Sequence, residues 1–246
     1  MPDRYFCEII EHEEVADGTF AVAIGWNDTP RPGQFIHIKC GEDSLLRRPI
    51  SICGVGDNTL KFVFEVKGAG TRWLSERYPG LLLDVLGPLG NGFSLPDGEE
   101  EILVVGGGIG VPPLLFAAAS ARGEVTALLG FRDEGKVILV DEFKEACADV
   151  RTITDDKGYV TELLAEALQN GAYGAVLACG PRAMLKAVAE LCARHGVPCQ
   201  VSLEERMGCG VGACLVCACA TRTGGSDHMS RVCKDGPVFC AEEVVW

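Results

Sequence analysis

The chain has 246 residues, enough for one large domain or for two compact domains and an appendage. Hydrophobic residues make up 48% of it, which is typical of a folded globular protein rather than a disordered one. Its formal net charge of −13 argues against nucleic acids and anionic membranes as partners, because both bind basic surfaces. The first residues lack the apolar run of a signal peptide, so we expect a cytoplasmic protein.

Cysteine is the most distinctive residue of the composition. The chain has 13 cysteines, and an odd number without a secretory signal indicates a reducing compartment, where clustered cysteines more often bind metal than form disulfides. Seven are scattered, and for most of these we favour the role of small buried side chains: Cys7, Cys40, Cys53, Cys147, Cys179, Cys192 and Cys199. The other six fall between Cys209 and Cys240, and this clustering needs its own explanation.

The chain divides into three segments, predicted as residues 1–97, 98–200 and 201–246. In the first, alternating apolar residues predict strands at 34–39, 60–66 and 81–86, and their Gly/Pro-rich turns favour a small antiparallel β-barrel. In the second, short apolar runs predict strands at 101–105, 124–129, 137–140, 150–153 and 175–178, with helices at 159–169 and 182–194. This alternation predicts an α/β domain, a parallel sheet covered on both faces.

The length of an uncharged run from Ile102 to Ala121 could by itself suggest a membrane span. It contains four glycines and two prolines near its middle, so we interpret it as a strand, a glycine-rich turn and a buried helix. Gly107, Gly108 and Gly110 of this turn are candidates for holding a dinucleotide pyrophosphate. The loop departs from the common dehydrogenase pattern, because Val111 stands where the third glycine would be.

Cys179 follows the last predicted strand and precedes Gly180 and Pro181. Because ligands bind at the carboxyl edge of a parallel sheet, Cys179 could face a nicotinamide ring. The alternative, another buried cysteine, is equally compatible with the sequence.

The third segment reads C-x4-C-x2-C followed by a distant cysteine: Cys209, Cys214, Cys217 and Cys233. This is the plant-type spacing for a [2Fe–2S] cluster, and the intervening glycines allow backbone N–H groups to approach the sulfurs. Residues 221–231 are polar with a Gly-Gly pair, which predicts a hairpin that returns the fourth ligand. Structural zinc usually shows two C-x2-C pairs, so we favour the cluster. Cys219 competes with Cys217 as a ligand, but the x2 spacing favours Cys217.

Three stretches of the first segment are candidate flavin contacts: residues 47–51, 65–67 and 68–71. A guanidinium can bind a pyrophosphate, a serine hydroxyl can bind the flavin edge, and a Gly-Thr turn at a helix start can bind phosphate. For each stretch taken alone, we favour its interpretation as a turn of the barrel.

Together these motifs resemble the ferredoxin–NADP reductase superfamily, and more closely the electron-transfer subunits of type B dihydroorotate dehydrogenase. The residues that carry the resemblance are 48–51, 70–71, 87–93, 106–113 and 179–181, and above all 205–214 and 231–239. It implies cluster ligands at Cys209, Cys214, Cys217 and Cys233. It implies FAD contacts at Arg48, Pro49, Ile50, Ser51, Glu65, Val66, Lys67, Gly70 and Thr71.

The resemblance also implies a partner, an FMN-containing subunit that oxidises dihydroorotate in pyrimidine synthesis, with two copies of each chain in a heterotetramer. Electrons would pass from FMN through the cluster and FAD to NAD⁺. In agreement, the three segments leave no stretch for a second catalytic barrel of about 250 residues.

Other interpretations stay open. One is a related flavin subunit of a hydrogenase or of a ferredoxin–NAD(P) oxidoreductase, and another is a non-enzymatic zinc-binding adaptor. We favour NAD over NADP because Asp133 and Glu134 would repel a 2′-phosphate that Arg132 alone could attract. Residues 244–246 either anchor the partner or pack onto the body of the chain.

Overall fold

In the computed structural model, which describes residues 3–42 and 44–246, the first six strands close into an antiparallel barrel. They are β1 (Asp3–Ala16), β2 (Thr19–Gly25), β3 (Phe35–Ile38), β4 (Arg48–Gly56), β5 (Thr59–Glu65) and β6 (Leu82–Leu89). Around the barrel their order is β1-β2-β5-β4-β3-β6. Alternate side chains such as Ile36, Ile38 and Phe62 fill the interior and are fully buried. The predicted barrel is confirmed.

Two details of the barrel differ from the sequence-based expectation. The third predicted strand does not end at residue 86, because β6 continues to Leu89. The short helix α1 (Ala69–Ser75) begins with the Gly-Thr turn rather than after it, and Gly68 is its N-cap residue. Thr71 accepts hydrogen bonds from the N–H groups of Lys67 and Gly68, which fixes the path of the chain into the helix.

The second part of the chain forms a six-stranded sheet. Its strands are β7 (Ile102–Gly107), β8 (Val125–Phe131), β9 (Asp149–Thr154), β10 (Ala175–Cys179), β11 (Cys199–Ser202) and β14 (Val238–Cys240). The order is β14-β11-β10-β7-β8-β9, and every neighbouring pair is parallel except β11 with β14. Four helices cover it: α2 (Pro112–Ser120), α3 (Val140–Ala146), α4 (Val160–Asn170) and α5 (Arg182–His195). The predicted α/β domain is confirmed.

One predicted strand of this sheet is wrong. Residues 137–140 form no strand; they lead into α3, whose first residue is Val140. Leu139, immediately before the helix, has a left-handed backbone with φ of +61°, which a strand does not allow. Ile138 and Leu139 are nevertheless buried, and a short buried apolar run has the same sequence pattern in a loop as in a strand.

The uncharged run from Ile102 to Ala121 forms β7, a single 3-10 turn and α2, as predicted. Pro112 and Pro113 occupy the first turn of α2, where a missing backbone N–H costs little. In residues 3–42 and 44–246, no helix is long and apolar enough to cross a membrane.

The C-terminal segment packs against both other parts. Strands β12 (Ala218–Thr223) and β13 (Ser226–Arg231) form the predicted hairpin, while β14 extends the six-stranded sheet. Val232 and Phe239 share one apolar core with Val176 of the sheet and Phe35 of the barrel. Strand β11 spans residues 199–202, so the proposed boundary at residue 201 falls within a strand. The domain limits stay a prediction.

Candidate functional site

A cleft of about 1120 Å³ separates the barrel from the sheet. It exceeds the range of about 300–1,000 Å³ that is usual for a single small-molecule site. One wall is formed by β4, β5 and the start of α1. The opposite wall is formed by the carboxyl ends of the five parallel strands β7, β8, β9, β10 and β11. Ligands bind at this edge of α/β sheets, so the cleft is the candidate site for two dinucleotides.

The barrel wall brings together most of the predicted flavin residues. The residues that line the cleft are Pro49, Ile50, Ser51, Glu65, Lys67 and Thr71. Arg48, Val66 and Gly70 do not line it directly. Arg48 and Gly70 nevertheless contact each other, because a Cβ atom on Gly70 would lie 2.5 Å from Nε of Arg48. Gly70 therefore leaves the space that the Arg48 guanidinium occupies.

Glu65 connects the two walls of the cleft. Its carboxylate lies 3.6 Å from Nζ of Lys67 and 3.6 Å from Nζ of Lys136, which belongs to the sheet domain. Lys136 also donates a hydrogen bond of 2.6 Å to the carbonyl of Asp17 in the barrel. These contacts connect the wall formed by the sheet to the wall formed by the barrel.

The predicted glycine loop forms the centre of the opposite wall. Gly107, Gly108 and Gly110 all line the cleft. Gly108 has a left-handed φ of +53° and faces open space, so its backbone is accessible to a ligand. A Cβ atom on Gly110 would overlap the carbonyl of Cys179, so only glycine allows the turn after β7 to pack against the end of β10 here.

Cys179 lies at the end of β10, beside Ser202 of β11, and it lines the cleft. Burial raises the pKa of the Cys179 thiol to about 12, although a hydrogen bond with Ser202 opposes this. The side chain is therefore a neutral thiol at pH 7 and is unsuited to act as a thiolate nucleophile. Its position is compatible with contact to a bound nicotinamide ring.

The four predicted cluster ligands form two pairs. Cys209 lies beside Cys214, whose N–H donates to its Sγ, and Cys217 lies beside Cys233, whose N–H likewise donates to its Sγ. Among the residues described, no three His, Cys, Asp or Glu side chains converge on a point that could hold a single ion. Two pairs of thiols match a two-iron cluster, in which each iron binds two thiolates, better than one tetrahedral zinc.

Backbone N–H groups already point at these sulfurs. Three of them surround Sγ of Cys209, from Val211 at 3.4 Å, Ala213 at 3.2 Å and Cys214 at 3.4 Å. Burial opposes ionisation of Cys209, but these donors outweigh it and lower the pKa of its thiol to about 6. Gly212 N–H donates to Sγ of Cys233 at 3.1 Å, and Cys233 N–H donates to Sγ of Cys217 at 3.4 Å. This donor set fits a thiolate-bound cluster.

An ion pair holds the two ends of the cluster segment together. Arg231 binds the Asp235 carboxylate through Nε and Nη2, both at 2.9 Å, and its Nη1 donates to the carbonyl of Gly212 at 3.3 Å. Asn91 of the barrel donates to the carbonyls of Lys234 and Asp235. The loop with the first ligands is thus tied to the turn that follows the fourth.

The two other cysteines of the segment lie elsewhere. Cys219 is buried on β12 opposite Ser230, and Cys240 is exposed on β14 opposite Gln200.

Arg132, considered from the sequence for the choice between NAD and NADP, lines the cleft together with Phe131. Several further lining residues were not predicted from the sequence. They are Lys136 after β8, Asp155 and Tyr159 after β9, Met184 on α5, and Leu203, Glu204 and Glu205 after β11. Most follow the end of a parallel strand, and that position is the signal that could have identified them. Met207 and Pro237 of the C-terminal segment also line the cleft, so the segment that contains the four predicted cluster ligands borders it.

Comparison with known proteins agrees with this geometry. A family model described as the iron–sulfur cluster binding domain of dihydroorotate dehydrogenase B matches residues 204–245. The dihydroorotate dehydrogenase B (NAD(+)) electron transfer subunit of Caldanaerobacter subterraneus is 38% identical over 245 residues, covering 97% of each chain. The same subunit of Desulforamulus reducens is 41% identical over 247 residues, covering 94% of each. The chain belongs to this family of electron transfer subunits.

Solved structures show the same fold. An NADH-dependent reduced ferredoxin–NADP oxidoreductase, described in connection with flavin-based electron bifurcation, superposes with a TM-score of 0.88 at 32% identity. That match covers 98% of this chain and 90% of the other. Phthalate dioxygenase reductase superposes with a TM-score of 0.67 at 18% identity, covering 94% and 77%. The second likeness concerns the fold alone.

Proposed function

We propose that the chain is the electron transfer subunit of an NAD-dependent dihydroorotate dehydrogenase B and binds FAD, a [2Fe–2S] cluster and NAD. The observation that carries this proposal is the pairing of four cysteines in a segment that borders a cleft for two dinucleotides. When bound, FAD and the cluster supply electron transfer between the nicotinamide and a partner protein. The residues of this chain bind these groups, orient them and keep them close together.

FAD binds along the barrel wall in this proposal. Pro49, Ile50 and Ser51 present one edge of β4 to the cleft, and the Ser51 hydroxyl offers a hydrogen bond to the ring system. Arg48, Glu65, Val66, Lys67, Gly70 and Thr71 complete the contact set. Lys67 and Arg48 provide the positive charge that a pyrophosphate requires.

The nicotinamide dinucleotide binds on the opposite wall. Gly107, Gly108 and Gly110 let the backbone approach the pyrophosphate, and Cys179 contacts the nicotinamide as a neutral thiol. Of the three residues weighed for NAD against NADP, only Arg132 lines the cleft, while Glu134 binds Lys157 at 2.6 Å. The preference for NAD therefore rests on the family rather than on charge repulsion by Glu134.

The pairing of thiols also assigns the ligands to the two irons. Cys209 and Cys214 bind one iron, and Cys217 and Cys233 bind the other. Cys219 and Cys240 lie outside both pairs and are not ligands in this proposal.

The partner is an FMN-containing subunit that oxidises dihydroorotate, in a cytoplasmic heterotetramer with two copies of each chain. Its contact surface includes Val211, Leu215 and Val216, which are exposed apolar residues around the exposed ligand Cys214. Leu215 has a left-handed backbone with φ of +60°, an uncommon conformation for a non-glycine residue that is frequent at functional sites.

The test begins with the purified chain. We expect a visible spectrum with flavin bands and a broad iron–sulfur shoulder, bleached by NADH in the absence of oxygen. Mixing with the dihydroorotate-oxidising subunit encoded in the same genome should produce dihydroorotate-dependent reduction of NAD⁺, which neither chain catalyses alone. A colourless protein that contains zinc would overturn the proposal and favour the alternative of a non-enzymatic zinc-binding adaptor.

A second function has a specific observation in its favour. The structural similarity to the ferredoxin–NADP oxidoreductase, at 32% identity over nearly the whole chain, means that the same fold serves another electron transfer complex. The same experiment distinguishes the two functions. Flavin and cluster bands without activity toward dihydroorotate, combined with NADH-dependent reduction of a ferredoxin by the native complex, would support this second function.

A further inference from the structure

His37 lies on the outer face of the barrel yet is completely buried. Its neighbours in β3, Ile36 and Ile38, point into the barrel core, so the His37 side chain points to the opposite side. The residue has no exposed surface. Another segment of the chain must therefore cover the imidazole ring.

The covering segment is the loop of residues 209–217, which contains the first three predicted cluster ligands and is called the cluster loop below. A Cβ atom on Gly210 would lie 2.5 Å from Nδ1 of His37 and 3.1 Å from its Cε1. Gly210 also has a left-handed φ of +72°. Both this backbone conformation and the lack of space for a Cβ atom require glycine at this position. The edge of the ring that carries Nδ1 is thus pressed against the backbone next to Cys209.

Both nitrogens of this ring lack a hydrogen-bond partner within residues 3–42 and 44–246. Burial, and then the charge of Arg47, lower the pKa of His37 to about 4, so the ring is neutral at pH 7 and one nitrogen carries a hydrogen. Buried polar groups almost always have a partner, and an exception requires an explanation. The imidazole does not line the flavin cleft, although its backbone pairs with Pro49 of the flavin wall. Its missing partner is therefore on the cluster side.

We propose that the ring N–H of His37 donates a hydrogen bond to a sulfur of the [2Fe–2S] cluster. This inference rests on the proposed function, because it needs the cluster to be bound. His37 is not a ligand in this proposal, since four thiols already occupy the four ligand positions. A donor at the sulfur stabilises the more negative reduced cluster, so His37 raises the reduction potential. Its backbone in β3 pairs with Pro49 of β4, so His37 connects the barrel wall of the cleft to the cluster segment.

Two variants test this on the purified protein. His37→Phe keeps a ring but removes both nitrogens, and His37→Asn keeps a donor near the position of Nδ1. We expect His37→Phe to retain the cluster and FAD but to shift the potential of the cluster to a more negative value in a redox titration followed by EPR. His37→Asn should restore part of the shift. An unchanged potential in a fully loaded His37→Phe protein would overturn the inference.

A measurement on the unmodified sequence keeps the inference testable if His37→Phe fails to fold. The chain has only four histidines, so labelling them with ¹⁵N and recording pulsed EPR of the reduced cluster is selective. We expect a weak nitrogen coupling, typical of a hydrogen bond to sulfur. A cluster signal without any coupling to histidine overturns this inference but leaves the proposed function intact. A strong coupling would mean that a histidine is a cluster ligand, which also overturns the inference. The absence of any cluster signal would mean that the proposed function itself is wrong.

Discussion

Asp84 binds the guanidinium of Arg47 at 2.8 Å, and Arg47 also donates hydrogen bonds to the carbonyls of His37 and Asp84. Arg47 is therefore fully engaged in holding β3 and β6 together. Within residues 3–42 and 44–246, the next residue, Arg48, donates only to carbonyls of its own loop, at Leu46 and Arg47. Of the two adjacent arginines, one is structural and the other is available to a ligand.

The first prediction follows from this division. Arg48→Ala should weaken FAD binding at least about tenfold, because a hydrogen bond to a charged group contributes about 1.5–3 kcal/mol. The dissociation constant of FAD, measured by flavin fluorescence with the apoprotein, checks this. Arg194→Ala, at the exposed end of α5, is the matched control and should leave the constant unchanged. Equal affinities in Arg48→Ala and the control would remove Arg48 from the flavin site.

The second prediction concerns stability against acid. Burial alone would raise the pKa of Asp84, but hydrogen bonds and charges from Arg4 and Arg47 outweigh it and lower that pKa. A carboxylate whose pKa is lowered in the folded state stabilises the fold above its ordinary pKa near 4, and this contribution is lost as the pH falls. Asp84→Asn should therefore cost about 2 kcal/mol of unfolding free energy at pH 7 and less at pH 3, because the contribution decreases as the pH falls below the ordinary pKa of the carboxyl.

Urea unfolding at both pH values measures this difference. The exposed pair of Arg222 and Asp227 supplies the control, since Asp227→Asn should change little at either pH. A loss in Asp84→Asn that stays equal at pH 7 and pH 3 would mean that its cause is not the ionised carboxylate.

A structural feature can be predicted from the sequence when the residues that form it are close together in the chain. Cys209, Cys214 and Cys217 are neighbours in the chain, so their spacing alone indicates the cluster. Strand β5 reveals itself by alternation, since Leu60, Phe62 and Phe64 all face the barrel core. The pairing of β14 with β11 has no such signal, because a strand of three residues shows no periodicity. The burial of His37 depends on Gly210, a contact distant in sequence that no local pattern encodes.

The third prediction separates ligands from the other cysteines. Alanine at Cys209, Cys214, Cys217 or Cys233 should abolish the iron–sulfur absorbance, because each change leaves one iron with a single thiolate. Cys219→Ala and Cys240→Ala should keep the absorbance, since these residues lie outside both thiol pairs. Iron analysis and visible spectra of the six variants decide it. Loss of the cluster in Cys219→Ala with retention in Cys217→Ala would reverse the assignment.

The fourth prediction concerns the ion pair between Arg231 and Asp235. Asp235→Ala frees Arg231 from the turn after Cys233, so the loop that contains Gly212 loses its connection to that turn. We expect the bound cluster to bleach at least about fivefold faster at a fixed temperature, which corresponds to about 1 kcal/mol. FAD content should not change. Asp227→Ala, which removes the exposed ion pair of the same hairpin, is the control, and equal bleaching rates in both variants would contradict the role of Asp235.

The last prediction places the partner on the loop around Cys214 rather than on the C-terminus. Val244 is buried, and Arg182 donates a hydrogen bond to the carbonyl of Val245 at 3.0 Å. The guanidinium of Arg182 also lies 5.9 Å from the ring centre of Trp246. Of the two roles considered for residues 244–246, the structure therefore favours packing onto the body over anchoring the partner.

Leu215→Glu introduces a charge into the exposed surface beside Cys214. We expect it to abolish co-purification with the dihydroorotate-oxidising subunit, because an unpaired charge is costly in an apolar interface. NADH-dependent dye reduction through FAD should persist, since Leu215 contributes nothing to the cleft. Leu82→Glu is the matched control: Leu82 is equally exposed, at 63%, but lies at the far end of β6 from Leu89, which packs against the cluster segment. If Leu82→Glu releases the partner and Leu215→Glu retains it, the partner binds the barrel and not the cluster loop.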